Sequence, residues 1–230
     1  CKFKPENTMA KNIMEFQKLE FNKLSRPDMV SRSSAFYDQI KKRRTVRDFS
    51  SEKIPIDIVI NAIKSASMAP SGANKQPWHF VIVEDLKTKK EIRTAAEKEE
   101  KAFYEHRASD EWLEDLKPLG TNYKKEFLET APYLIVVFKV NYDLENKMRR
   151  RNYYVSESVG IASGILLTAL HHSGLATLTH TPSPMGFLER ILDRPKNEKA
   201  VLLIPVGYAS SKAKVPFIKK KDFNSVCTIV

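Results

Sequence analysis

Arg43-Arg44-Thr45-Val46-Arg47 gathers three guanidinium groups and a hydroxyl into one short stretch. That set suits the grip on a phosphate or similar anion, because a guanidinium stays charged and presents a rigid fork of donors. If the segment is helical, Arg43 and Arg47 share a face; if it is extended, Arg43, Thr45 and Arg47 share one instead. A solvated basic helix end would also carry such residues, since cations favour that end of the macrodipole. Further along, Ala69-Pro70-Ser71-Gly72-Ala73-Asn74 reads as a turn in which Pro70 fixes the approach and Gly72 permits close backbone contact. No catalytic triad, metal-ligand cluster or phosphate-cradling glycine loop is visible.

The chain has 230 residues and a formal net charge of +11, from 39 Lys and Arg against 28 Asp and Glu. Such a balance suits an anionic partner, and equally a solubilising surface. The basic runs Lys41-Lys42-Arg43-Arg44 and Lys219-Lys220-Lys221 lie in no recognisable nucleic-acid module, and Cys and His lack zinc-finger spacing, so neither a nucleic acid nor a metal is expected as a partner. Cys1 and Cys227 do not make a disulfide framework, which fits a reducing compartment while leaving a single bridge open. No apolar stretch approaches the roughly 20 residues that span a bilayer. A soluble domain is therefore expected, with an anchor upstream of Cys1 left open.

Several elements must position the candidate residues. Residues 1–31 are polar and weakly patterned, an arm leading into one domain over 32–230. Phe36, Tyr37 and Ile40 predict a helix over Arg32–Lys42, and residues 45–49 read as extended. Pro55 opens a helix with Ile56, Val59, Ile60 and Ile63 on one face. Strands are expected at Trp78–Val83, Tyr133–Val140, Ala176–Thr181 and Ala200–Val206, and helices across the charged stretch 86–129, at Asn152–His172 and at Phe187–Leu192. Pro118 and Gly120 interrupt the charged stretch. The intermixed elements indicate α+β or α/β, with no repeat and no dividing linker.

Three segments together are similar to the nitroreductase superfamily: Arg43–Arg47, Ala69–Trp78 with its Pro-Ser-Gly turn, and Leu203-Ile204-Pro205-Val206-Gly207-Tyr208 before the basic tail. The resemblance covers residues 32–230 and implies an α+β fold, a central mixed sheet flanked by helices in a swapped homodimer. It also implies an FMN site at the subunit interface. Arg43, Arg44, Thr45 and Arg47, with Lys220 late in the chain, would hold the FMN phosphate, and Ser71 and Gly72 would lie against the flavin ring.

A narrower resemblance, to the iodotyrosine deiodinase family, rests on residues 97–104, Trp112, Asp115-Leu116 and Thr121–Glu126. These resemble an active-site lid over about 88–128, in which Glu100, Tyr104 and Lys125 would hold a substrate zwitterion and Ala73 would also contact the substrate. The chemistry agrees, since an amino acid needs an anion for its ammonium and a cation for its carboxylate. Glu100 and Tyr104 are i, i+4 and would share a helix face. An ordinary charged surface helix would show the same letters. The run Thr177–Pro182 resembles a flavin-side loop including Thr179, His180 and Thr181. There Thr181 would be the catalytic residue whose hydroxyl bonds flavin N5 and favours one-electron chemistry. His180 replaces a threonine, its ring either near the flavin or in solvent, with no role assigned. The resemblance to the iodotyrosine deiodinase family also implies an arginine at the Lys220 position, so the charge is kept but the fork is lost, and Lys219 or Lys221 could substitute.

The resemblance thus implies reductive dehalogenation of halogenated tyrosines, with NAD(P)H as electron source directly or through a reductase partner. Three rivals remain: a general FMN-dependent nitro- or quinone-reductase, a flavoprotein that binds halotyrosine without turnover, and a basic nucleic-acid or membrane-surface protein.

Overall fold

A computed structural model describes residues 16–146 and 148–230. Cys1 and residues 2–15 of the expected arm lie outside the described residues. The chain clusters into two units, Cys1–Asp38 and Gln39–Val230, and the features below belong to the second unless stated. Along the chain come α1 (Arg26–Ile40), α2 (Ile56–Ala66), β1 (Trp78–Val83), α3 (Leu86–Ala102), α4 (Asp110–Leu116), α5 (Phe127–Thr130), β2 (Tyr133–Val140), β3 (Tyr142–Glu145), β4 (Met148–Arg151), α6 (Val155–His172), β5 (Ala176–Thr177), α7 (Gly186–Ile191) and β6 (Glu198–Gly207). Among the described residues no helix is long and apolar enough to cross a membrane.

β2 is the centre because its residues 133–138 are apolar and buried whichever face they take. Leu134, Val136 and Phe138 pack with Ile92, Leu128 and Leu188, whereas Ile135 and Val137 pack with Val59, Leu166 and Leu170. Alternation along one strand thereby covers both faces of the sheet with helices. The strand order is β1-β2-β6-β5. All its ladders are antiparallel, and the sheet is mixed only through a parallel bridge between Thr45 and Thr177.

α1 begins at Arg26 rather than Arg32. The Asp28 amide donates to Ser25 Oγ at 3.3 Å, and Ser25 Oγ donates to the Asp28 carboxylate at 2.6 Å, a reciprocal cap that starts the helix early. α2 buries Val59, Ala62 and Ala66 but leaves Ile56 exposed, because its inward face is turned from the expected one. β5 stops after two residues, although His180 pairs again with Leu203 through two 2.9 Å bonds. Leu203 and Pro205 turn to the same edge of β6, and Pro205 has no N–H to give, so the ladder between the two pairings fails. The β3–β4 hairpin was not expected; Tyr142 and Leu144 alternate with Asp143 and Glu145 over four residues only, and the partner strand is Met148 and three arginines, largely exposed.

Candidate functional site

A cleft of about 510 Å³ lies between the end of α3, the segment leading into α5 and the loop after β5. Local chemistry explains each wall. Asp85 starts α3 by accepting the Thr88 amide at 2.7 Å. After Ala102 the helix widens into a π-helical turn, Phe103–Arg107, and Arg107 reaches back to the Glu99 carboxylate at 3.2 Å. Ser109 then caps α4, where the Trp112 ring meets Phe103 edge-on at 4.9 Å. An aromatic wall thus stands beside the charged end of α3.

Within the cleft, Lys125 Nζ lies 3.0 Å from the Glu100 carboxylate, with their side chains only 4% and 14% exposed. The Lys125 ammonium also donates to the Asn122 carbonyl. Burial pulls the Lys125 pKa below its ordinary value, against the opposing pull of Glu100. Tyr104, one helical turn on from Glu100, donates to Thr121 Oγ1 at 3.3 Å and has its ring 5.8 Å from Lys125 Nζ.

His180 forms the floor. It is 7% exposed, its ring meets Phe127 edge-on at 5.8 Å, and Nδ1 lies 3.9 Å from Glu100 Oε1. Nε2 is buried without a hydrogen-bond partner. Burial, with Lys125 and Arg47 nearby, lowers its pKa to about 3, so the imidazole is neutral at ordinary pH. Its ring is therefore sunk beneath the charged pair, not in solvent. The flanking hydroxyl residues Thr179 and Thr181 are exposed and line the same cleft.

One chain brings together Arg47, Glu100, Tyr104, Lys125, Thr179, His180 and Thr181. The Arg43–Arg47 segment is extended: Thr45 sits beside Thr177, and the Val46 amide donates to the Thr177 carbonyl at 3.1 Å. Arg44 donates to the Pro216 carbonyl and so ties down the tail. Ser71, Gly72 and Ala73 do not line this cleft. They form a tight turn in which Ser71 Oγ accepts the Gln76 amide at 2.9 Å, Ala73 takes φ 51°, and a Cβ on Gly72 would meet Tyr154 at 2.8 Å. Lys220 is exposed on the tail, and Lys219 lies 3.8 Å from Asp222. Sequence reasoning missed Arg93, Glu97 and Phe127, which support or line the site; the i, i+4 pairing of Arg93 with Glu97 was the signal available.

The Nitroreductase family model matches residues 40–208. The iodotyrosine deiodinase of Haliscomenobacter hydrossis is 55% identical over 203 residues, 88% of this chain and 91% of that protein. The chain belongs to the nitroreductase family, in its iodotyrosine deiodinase branch. Iodotyrosine deiodinase 1 of Homo sapiens is 45% identical over 205 residues, 88% of this chain and 71% of that protein. A crystal structure of oxidized iodotyrosine deiodinase bound to FMN and 3-iodo-L-tyrosine matches with a TM-score of 0.72 at 37% identity, covering 84% of this chain and 100% of that one. The nitroreductase fold read from the three sequence segments is thus the fold of this chain.

Proposed function

We propose that this protein is an FMN-dependent oxidoreductase that reductively removes halogen from halogenated tyrosines, releasing tyrosine and halide. The observation that carries the reading is the buried Glu100–Lys125 pair at one wall of the cleft. Buried charges are costly unless paired, so a ligand that disturbs the pair must satisfy both members. A zwitterion does so: its ammonium takes Glu100 and its carboxylate takes Lys125. A ligand bearing one charge would strand the opposite residue. Tyr104 adds a neutral hydroxyl, and the Phe103–Trp112 wall stands beside the charges in the same cleft.

The residues present suit FMN. Arg43 and Arg47 stand on the extended segment that bridges Thr177, where two guanidinium forks suit a phosphate. Arg44, Thr45 and Lys220 complete that basic set, Thr179 offers a further hydroxyl, and Thr181 would present its own to flavin N5. When bound, the flavin, recharged by NAD(P)H directly or through a reductase, would supply the two electrons that, with one proton, replace a carbon–halogen bond by carbon–hydrogen and release the halide as an anion. The protein's part is to hold the halogenated ring by its distant amino-acid end and exclude water around it.

A homodimer is part of this proposal. The tail exposes Phe217, Phe223, Val226 and Ile229, and the outer face of α6 exposes Ile161 beside Gly160 and Gly164. Apolar surface of that extent calls for cover. A second copy would also supply the Ser71-Gly72-Ala73 turn and Lys220, which stand outside the cleft of a single chain, with Ala73 then reaching the substrate.

A general nitro- or quinone-reductase would use the same flavin residues but has no need of a buried Glu100–Lys125 pair. The test is titration of the oxidised holoprotein with 3-iodotyrosine, following flavin absorbance and fluorescence, against tyrosine and 2-iodophenol. A tight response to 3-iodotyrosine alone, followed by iodide release on reduction, supports the reading. Indifference to 3-iodotyrosine leaves a general reductase, and tight binding without iodide release leaves a binder.

A further inference from the structure

Lys125 has two groups that need partners, the side-chain ammonium and the backbone amide. It stands just before α5, where an amide has no helical acceptor, and the residue is buried. A carboxylate fills that gap: Lys125 N donates to Glu97 Oε1 at 2.7 Å. The same oxygen accepts from Arg93 Nε at 2.8 Å, and Arg93 also reaches the Glu129 carboxylate at 3.2 Å. Burial alone would raise the Glu97 pKa, but the Lys125 amide and Arg93 together hold it lower, so the group stays an anion and a strong acceptor.

Glu97 and Glu100 lie on successive turns of α3. One carboxylate holds the backbone of Lys125 and the other holds its ammonium. A ligand carboxylate that draws Nζ from Glu100 leaves the amide tie intact. We infer that Glu97, held by Arg93, is a positioning residue for Lys125, fixing the backbone from which the buried ammonium meets an amino-acid carboxylate. The role deepens the deiodinase reading and rests on it. The competing role is a plain tie between α3 and α5, which would affect every ligand alike.

The experiment compares holoprotein of wild type, Glu97→Ala, Glu97→Gln and Arg93→Gln, titrated with 3-iodotyrosine and with 2-iodophenol. Glu97→Ala should weaken 3-iodotyrosine binding by about tenfold and leave 2-iodophenol unchanged. Glu97→Gln should recover most of the loss, because the amide oxygen still accepts from Lys125 N–H. Equal losses for both ligands, or no loss for either, in protein of wild-type flavin content would overturn the inference. If Glu97→Ala does not fold, Arg93→Gln decides: a loss confined to 3-iodotyrosine supports the role, and any other pattern overturns it. A wild type that fails to prefer 3-iodotyrosine sinks the deiodinase reading and this inference with it, before any variant is measured.

Discussion

β2 and the charged stretch from Leu86 to Thr130 pack against each other, yet they are held by opposite means. β2 contributes Leu134, Val136 and Phe138 to a dry layer with Ile92, Ala96 and Leu128. The rest of the charged stretch is tied by charged groups: Arg93 to Glu97 and Glu129, Lys89 to the Ala131 carbonyl at 2.8 Å, and Lys125 to Glu100. Apolar burial is non-directional and cannot be exchanged for a ligand without opening a cavity. A buried ion pair contributes little net stability, because its attraction is offset by desolvation, but each member can be handed to a new partner of the right sign. A site of the kind proposed, opening for one zwitterion, is better built from the second kind of contact and supported by the first.

The largest expected effect lies on the apolar side. Leu134→Ala should lower folding stability by about 2–5 kcal/mol through lost burial and a residual cavity. Denaturant unfolding reads the loss, and the folded fraction should keep its affinity for 3-iodotyrosine. A variant that stays stable but binds poorly would break the division between the two regions.

On the charged side the pattern should invert. Glu100→Gln should weaken 3-iodotyrosine by about 2–3 kcal/mol, roughly a hundredfold, while changing 2-iodophenol little. 3-Iodotyramine, which has the ammonium and no carboxylate, should bind wild type worse than 3-iodotyrosine because it strands Lys125. Flavin-signal titrations measure all three. If 2-iodophenol weakens as much as 3-iodotyrosine, the pair is only structural.

The same contrast explains what could be read in the sequence. β1 and β2 fall where their apolar and β-branched residues put them, and β2, buried on both faces, leaves no choice of partner surface. The β3–β4 hairpin is short, largely exposed and rich in charged residues, and left no such trace. Glu100, Tyr104 and Lys125 are indistinguishable by type from a solvated helix, and only the family resemblance selected them. They meet because the end of α3, its π-helical turn and the segment before α5 fold onto one cleft, which no spacing rule predicts. His180 looked like the end of a strand, and its depth depends on pairing with Leu203 across the missing Pro205 donor.

His180 gives a third, smaller test, because it is a polar group with an apolar group's burial. Its folded pKa is lowered to about 3 from an ordinary 6.5, with Lys125, Arg47 and Glu100 facing it. Below 6.5 the unfolded chain takes up a proton that the folded chain refuses. Stability should therefore fall as pH drops from 6.5 toward 3, by at most about 1.4 kcal/mol per pH unit from this group. His180→Thr should flatten that part of the curve, measured as urea midpoints between pH 7 and 5. Parallel curves for variant and wild type would show that Glu100 accommodates a charged imidazole in the folded protein.

The smallest effect separates burial from charge as the cause. Lys117 and Glu114 form an ion pair on the same stretch as Glu100 and Lys125, but their side chains are 68% and 67% exposed. Water already solvates both, so losing one strands nothing. Lys117→Ala should change stability by less than about 0.5 kcal/mol and leave 3-iodotyrosine binding as it was. Thermal unfolding and the flavin titration together check this. A loss comparable to that of Glu100→Gln would mean that the net charge of the stretch governs ligand capture. The insensitivity expected here would instead tie selectivity to the two largely buried charges, Glu100 and Lys125, whose exchange for a ligand's charges is the step proposed above.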